Sequence, residues 1–375
     1  MKVAVTGADG FLGWHTRCAL KAAGIDSVPI DRSTFEDQAR LEAALVGADV
    51  IFHAAGVNRD AADEVRDRNI SLAHDLTAAL DRAGVRPAVI FANSIQSGNG
   101  TPFGDGKQAA VDHLTGWGSS AGAPVADIRL PNLFGEHGRP YYNSVVATFC
   151  HELATGGEPR IDVDREILLL HVQDAVDQVI ELAKAPRSGV VSPEGTATRV
   201  SRLLRLLDEF RDLYATGEIP DLTDSLHLAL FNTYRSFCFP QQYPIVPPPR
   251  SDERGTLFEC LRGRGGQAQV FCSTTRPGAT RGQHFHLRKV ERFVVLRGRA
   301  EIALRRLFGD TVVRFNVTGD VPAIVDMPTM WAHSIKNTGS DDLLTLFWAH
   351  EIFDPARADT FPELVVLAAE SAAIL

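Results

Sequence analysis

Over its first 200 residues the chain alternates apolar runs of strand type with stretches of helical spacing. Lys2–Thr6 reads as a strand and Phe11–Ala23 as a helix. Ser27–Ile30, Val50–Ala54, Ala88–Ala92 and Val125–Leu130 read as further strands, with Leu72–Ala83 helical among them. Continuous apolar strands separated by helices predict a parallel sheet covered on both faces. From Arg199 to Phe237 the pattern changes: Leu203, Leu204, Leu206, Leu207 and Phe210 recur at helical spacing, with no strand signal between them. Pro240–Arg250 then places five prolines in eleven residues, which cannot continue a helix and predict an extended, semi-rigid linker. Beyond it, short β-branched and aromatic runs recur between turns: Ala268–Ser273, Glu291–Leu296, Ala300–Leu304, Thr311–Phe315, Ala323–Val325 and Leu343–Trp348. Such spacing predicts an antiparallel barrel or double-sheet jelly roll. The expected organisation is an α/β domain over residues 1–245 and an all-β domain over residues 246–375.

Composition narrows the function. The 375 residues are 45% hydrophobic and 23% charged, as in ordinary globular domains, which excludes disorder and disulfide-stapled miniproteins. Lys plus Arg number 38 against 47 Asp plus Glu, a formal charge of −9 that argues against a nucleic-acid polymer as partner. A local basic pocket for one anionic ligand remains compatible with it. The five cysteines form no CxxC pair and the opening MKVAVTG lacks the layout of a signal peptide, so a reducing cytoplasm is expected. No apolar run approaches the roughly 18 residues that span a bilayer; Leu364–Ala369 is a short stretch of core type, and no membrane partner is expected.

Gly7-Ala-Asp-Gly10-Phe-Leu-Gly13 lies between the first expected strand and the first expected helix. There glycines close the turn, let the backbone approach a pyrophosphate and let the helix pack on the strand, while the helix N-terminus attracts the phosphate charge. The second strand ends at Asp31, eighteen residues past Gly13, placed to accept the ribose hydroxyls of NAD. Arg32 or Arg17 could instead pair with the 2′-phosphate of NADP, so the choice between NAD and NADP stays open.

In the second half, Gly278-x5-His284-x-His286-x4-Glu291-x6-Gly298 is followed by Pro328-Thr-Met330-x-x-His333-x3-Asn337. His-x-His sets two imidazoles on one face of a strand, and the carboxylate returns to them after a turn. With His333, three imidazoles and a carboxylate suit zinc, and also iron, manganese or nickel. The spacings resemble the two motifs of the cupin family, with Met330 at the position of a usual glycine. His151, His171 and His350 lie outside both motifs and read as core or surface histidines.

The glycine turn, followed by His53-Ala54-Ala55-Gly56, resembles the extended short-chain dehydrogenase/reductases, most of which act on nucleotide sugars. The resemblance implies a Rossmann domain in which Phe11, Ala54, Ala55, Gly56 and Asn69 join the cofactor site. It also implies a catalytic Ser with Tyr-x-x-x-Lys. Ser94 and Lys107 match, whereas Phe103 stands where the tyrosine is expected, in Phe103-Gly-Asp-Gly-Lys107. Asp105, Ser94, a water held by Lys107, Tyr141 or Tyr142 are the groups that could replace the phenol.

The two halves joined resemble the CapF/WbjC-type capsular-polysaccharide enzymes. The likeness is carried by Ala55-Gly-Val-Asn58-Arg59, Ser94-Ile-Gln, Pro131-Asn-Leu-Phe-Gly135, the run Arg139 to Cys150, Asp252-x-Arg254-Gly255, Phe353-Asp-Pro and Asp359-Thr360. It implies C3 epimerisation of a UDP-4-keto-6-deoxy-hexosamine by the metal cupin, then NADPH-dependent reduction of the C4 ketone by the Rossmann domain. Asn58, Arg59, Asn132, Arg139 and Asn143 would line the substrate cleft. A homodimer is also implied, with which an exposed apolar C-terminus, Val365–Leu375, is compatible. The alternative is a dehydratase, isomerase or reductase of another keto substrate, with proton transfer rerouted around Phe103.

Overall fold

The structure, a computed structural model, describes residues 1–59 and 61–367. The chain divides into two compact units, Met1–Val145 with Asp164–Arg199, and Val146–Val163 with the chain from Val200 onward.

In the first unit, the strands Asp26–Ile30, Lys2–Thr6, Val50–His53, Ala88–Ser94, Val125–Leu130 and Gly189–Val191 lie side by side in that order. Every pairing among them is parallel. Alternate side chains feed two cores, as the two-residue period of a strand requires. Val3, Val5, Phe52, Ile90 and Ile128 pack with Val179 and Leu182 of the helix Val172–Lys184 on one face. Ala4, Ile51, Val89 and Phe91 pack with Leu76, Leu80 and Leu114 of the helices Ala62–Ala83 and Pro102–Ala121 on the other. This is the doubly wound architecture expected of the Rossmann class. The winding direction reverses between the adjacent strands Lys2–Thr6 and Val50–His53, and such a switch point opens a crevice at their carboxyl ends.

The second unit carries two antiparallel sheets. One orders Gln269–Thr275, Leu343–Ala349, Glu291–Arg297 and Ile324–Met327; the other orders Val312–Thr318, Arg299–Arg306, Trp331–Asn337, Thr280–Phe285 and Phe361–Pro362. The helices Val200–Tyr214 and Ser225–Cys238 belong to this unit, so the boundary expected near residue 245 falls inside it. Two further expectations change here. A two-residue strand, Glu218–Ile219, separates the helices and pairs with Arg262–Gly263. The proline-rich run is no free linker: Phe239 and Tyr243 are buried, Tyr243 hydrogen-bonds the hydroxyl of Tyr214, and Ile245 bridges to Ile324. Proline limits the backbone without stopping its neighbours from packing. Val365, expected to be exposed, is buried against Ala303 and Ala332, and its carbonyl accepts from Arg305. Residues 368–375 of the expected apolar tail lie outside the described residues.

Candidate active sites

A cleft of about 760 Å³ opens at the switch point of the first unit, lined by Gly7, Gly10, Asp31, Arg32, Ala54, Ala55 and Gly56 among others. Gly7 turns with φ 65°, and a side chain there would lie 2.9 Å from the nitrogen of Ala55. A Cβ on Gly13 would meet the carbonyl oxygen of Gly7 at 2.2 Å. Gly10 caps the helix Phe11–Ala22 without a side-chain hydrogen bond, which leaves the first-turn N–H groups for a ligand phosphate. The residues present thus fit a dinucleotide.

The opposite lip is held by two residues the glycine pattern does not reveal. The hydroxyl of Thr6 accepts from the nitrogen of Ala55 at 3.1 Å and shares a hydrogen bond of 2.7 Å with Nδ1 of His53. Burial and the nearby Lys107 charge push His53 down to about 3, so it stays neutral. Asn69 stands behind the same lip. Its amide donates to the carbonyls of Val57 and Val65 and accepts from the nitrogen of Val57, so it shapes the loop and its hydrogen-bonding groups face the backbone.

Asp31 lies one residue past its strand and caps the short helix Arg32–Glu36, accepting from the nitrogen of Thr34 at 2.7 Å and the hydroxyl of Ser33 at 3.0 Å. These bonds, led by the Thr34 N–H, hold its carboxyl below the usual range. Arg17 is tied to Asp9 at 3.0 Å, whereas Arg32 is exposed on the cleft wall. Phe11 packs its ring edge-on to His15.

Ser94 ends the strand Ala88–Ser94, and its hydroxyl accepts from the nitrogen of Gln96 at 3.2 Å. Phe103 and Lys107 sit one turn apart on the helix Pro102–Ala121 and therefore share a face. Lys107 is buried, donates to the carbonyl of Ala92 at 2.9 Å and lies 4.7 Å above the Phe91 ring. Burial pulls it down to about 8, against the pull of Asp127. Asp105, a sequence-level substitute for the phenol, is exposed and turned onto the backbone nitrogen of Gly100.

Of the expected substrate residues, the structure brings Arg59 to the run 139–143, where it donates to the carbonyl of Tyr141 at 2.6 Å. Arg139 lies over the ring of Tyr142, and Asn58 and Asn143 are exposed. Asn132 instead donates to the carbonyl of Leu168 at 3.0 Å. His171, read as a core histidine, is buried in contact with Glu136 at 3.2 Å. Burial opposes ionisation of Glu136, but the His171 charge and hydrogen bond hold it down at about 2.

In the second unit, ligand atoms of His284, His286, Glu291 and His333 all lie within 4.8 Å of one another. His284 and His333 face each other on paired strands, while Glu291 opens the strand Glu291–Arg297. His286 Nδ1 contacts the carbonyl of Asp359, and His333 Nδ1 contacts that of Trp331. A carbonyl only accepts, so both Nδ1 atoms carry the proton and both Nε2 atoms point at Glu291. His333 Nε2 is buried 3.3 Å from Glu291 Oε2 without an aligned hydrogen bond. Burial lowers His333 below the usual range, and burial with the neighbouring imidazoles pushes His284 down to about 3. Bare nitrogen acceptors converging on a carboxylate are what a divalent cation satisfies, so the residues fit a metal. Met330 adopts the left-handed conformation that favours glycine, at φ 60°, and buries its side chain.

Together the doubly wound sheet, its glycine turn and the cleft define a dinucleotide-binding enzyme. Residues 3–194 match the NAD dependent epimerase/dehydratase family, and residues 250–361 match the polysaccharide biosynthesis C-terminal domain. The chain is 35% identical over 370 residues to the UDP-2-acetamido-2,6-beta-L-arabino-hexul-4-ose reductase of Pseudomonas aeruginosa, covering 96% of this chain and 98% of that one. It also resembles the crystal structure of the capsular polysaccharide assembling protein CapF from Staphylococcus aureus, with TM-score 0.60, 30% identity and coverage of 97% and 100%. The UDP-N-acetylglucosamine 4-epimerase from Bacillus cereus shares the fold of the first unit, with TM-score 0.51 and 19% identity over 56% of this chain and 82% of that one. The chain belongs to the NAD dependent epimerase/dehydratase family, as an oxidoreductase/epimerase of CapF type. Among the described residues, no helix is long and apolar enough to cross a membrane.

Proposed function

We propose that this chain is a bifunctional nucleotide-sugar enzyme of polysaccharide synthesis. In this reading the second unit is a cupin jelly roll that inverts C3 of a UDP-4-keto-6-deoxy-hexosamine, and the first unit reduces the C4 ketone with NADPH or NAD. The observation that carries it is the cluster of three imidazoles and a carboxylate, with the bare, buried Nε2 of His333 aimed into it.

Inversion at C3 needs no redox partner, because a proton beside a ketone is acidic and can be removed and returned on the other face. A divalent ion, zinc first, held by His284, His286, Glu291 and His333 supplies positive charge where the carbonyl oxygen becomes negative. The chain's own part is to fix the two Nδ1 protons on carbonyls, so that the Nε2 lone pairs face the centre. In the first unit, bound nicotinamide supplies the hydride. There Thr6 and His53 fix the 54–56 lip, and Lys107 keeps a buried charge at the end of the sheet. What this half lacks is the phenol at residue 103. That absence favours a second reading, in which another keto substrate is processed with proton transfer rerouted around Phe103. The proposal includes a homodimer, as the CapF likeness implies, and a cytoplasmic location, for which the cysteine pattern speaks.

Elemental analysis of the purified full chain tests the metal half. Stoichiometric divalent metal, removed by a chelator and restored by adding the ion, is expected. A chain that carries no metal and takes none up on reconstitution contradicts the proposal.

A further inference from the structure

The turn 287–290 joins two of the metal-ligand candidates, His286 and Glu291, and its backbone hydrogen bonds can be accounted for one by one. The nitrogens of Leu287, Arg288 and Lys289 all donate to the carboxylate of Asp359, at 2.8, 2.7 and 2.7 Å. The nitrogen of Val290 donates to Nδ1 of His350 at 3.1 Å. On the acceptor side, the carbonyl of His286 takes the nitrogen of Met330 at 2.7 Å, and that of Arg288 takes the side-chain amide of Asn232 at 2.7 Å. All four N–H groups of the turn are therefore bonded to side chains from distant parts of the sequence. Asp359 also contributes its own carbonyl, which takes the Nδ1 proton of His286.

One residue thus does two things at once. Its carboxylate, a charged acceptor for three converging N–H groups, sets the path of the turn, since such charge-assisted bonds are roughly twice as strong as neutral ones. Its carbonyl selects the tautomer of His286 and orients the ring. The three N–H dipoles converge on the carboxylate and stabilise it, as in a backbone nest.

We propose that Asp359 is the positioning residue of the metal centre, fixing both the tautomer of His286 and the distance from His286 to Glu291, and so setting the affinity of the site for its ion. This rests on the metal reading above and adds to it a residue that touches neither ion nor substrate. Sequence spacing hides the role, because Asp359 lies 73 residues from His286.

The test compares Asp359→Asn with the unchanged full chain, using zinc and a competing chromophoric chelator. Asn is nearly isosteric but offers one acceptor oxygen where the carboxylate offers two, so zinc affinity is expected to fall about 10–100-fold. The cobalt-substituted protein should show a shifted visible spectrum in the variant, which a purely structural role would leave unchanged. Equal zinc affinity and an identical cobalt spectrum overturn the proposal. Failure of the unchanged chain to bind zinc instead overturns the metal reading itself. Should the variant not fold, NMR of isotope-labelled histidine in the unchanged chain decides: His286 protonated at Nδ1 supports the proposal, and protonation at Nε2 alone overturns it.

Discussion

Restoring a phenol by Phe103→Tyr is expected to raise NADPH oxidation with a UDP-4-keto-6-deoxy-hexosamine by about 10²–10⁴-fold, the usual worth of a positioned general acid. The new hydroxyl would stand one helical turn from Lys107, on the same face of the helix Pro102–Ala121. A buried ammonium favours the ionised form of a neighbouring phenol, which suits it to exchange a proton near neutral pH. Of the alternatives near the helix start, Asp105 is exposed and accepts from the nitrogen of Gly100, and the hydroxyl of Ser94 accepts from that of Gln96. Phe103 is half-buried, so the added oxygen needs only partial access to the cleft. Steady-state NADPH oxidation by the two proteins measures the effect. A gain below about tenfold would mean that proton transfer already runs by another route, which favours the second reading.

Removing the Asp326 carboxylate by Asp326→Ala is expected to destabilise the second unit by about 3–5 kcal/mol, the cost of stranding a buried charge. Arg292 and Asp326 are both fully buried and meet through two bonds, at 2.7 and 2.9 Å. Tyr214 adds a third bond to the same carboxylate at 2.9 Å, and Arg292 also donates to the carbonyl of Gly217. These contacts join the strands Glu291–Arg297 and Ile324–Met327 to the helix Val200–Tyr214 and the residues after it. Arg292 directly follows Glu291, so loosening the pair also loosens the cluster of three histidines and a glutamate. Chemical unfolding followed by near-ultraviolet circular dichroism reads the loss. A change under about 1 kcal/mol would show that the pair behaves like an exposed ion pair.

The glycine turn and most of the histidine–glutamate cluster were legible in the sequence because they are local: Gly7 to Gly13 joins the first strand to its helix, and His284 to Glu291 spans a strand end and the turn after it, with His333 brought in by strand pairing. Several strands escaped the hydrophobic pattern, Trp331–Asn337 among them. There the buried His333 and Asn337 occupy positions where apolar residues would otherwise mark the period. Supporting residues escaped for another reason, distance in sequence. His350 read as an ordinary core histidine, and Asn232 carried no signal, yet both hold the 287–290 turn. The proline-rich run misled through composition alone, since the aromatic residues among its prolines pack into the second unit. Asp31 lines the cleft, and its capping bond to Thr34 could be seen only once the short helix was in place.

Isotope exchange at C3 tests the central claim most directly. The full, metal-replete chain is incubated in deuterated water with a UDP-4-keto-6-deoxy-hexosamine, without nicotinamide, and the sugar is analysed by NMR and mass spectrometry. Deuterium entering at C3, abolished by chelation and by Glu291→Gln, is the predicted result. A C3 proton that survives unexchanged in the metal-replete protein would contradict the account.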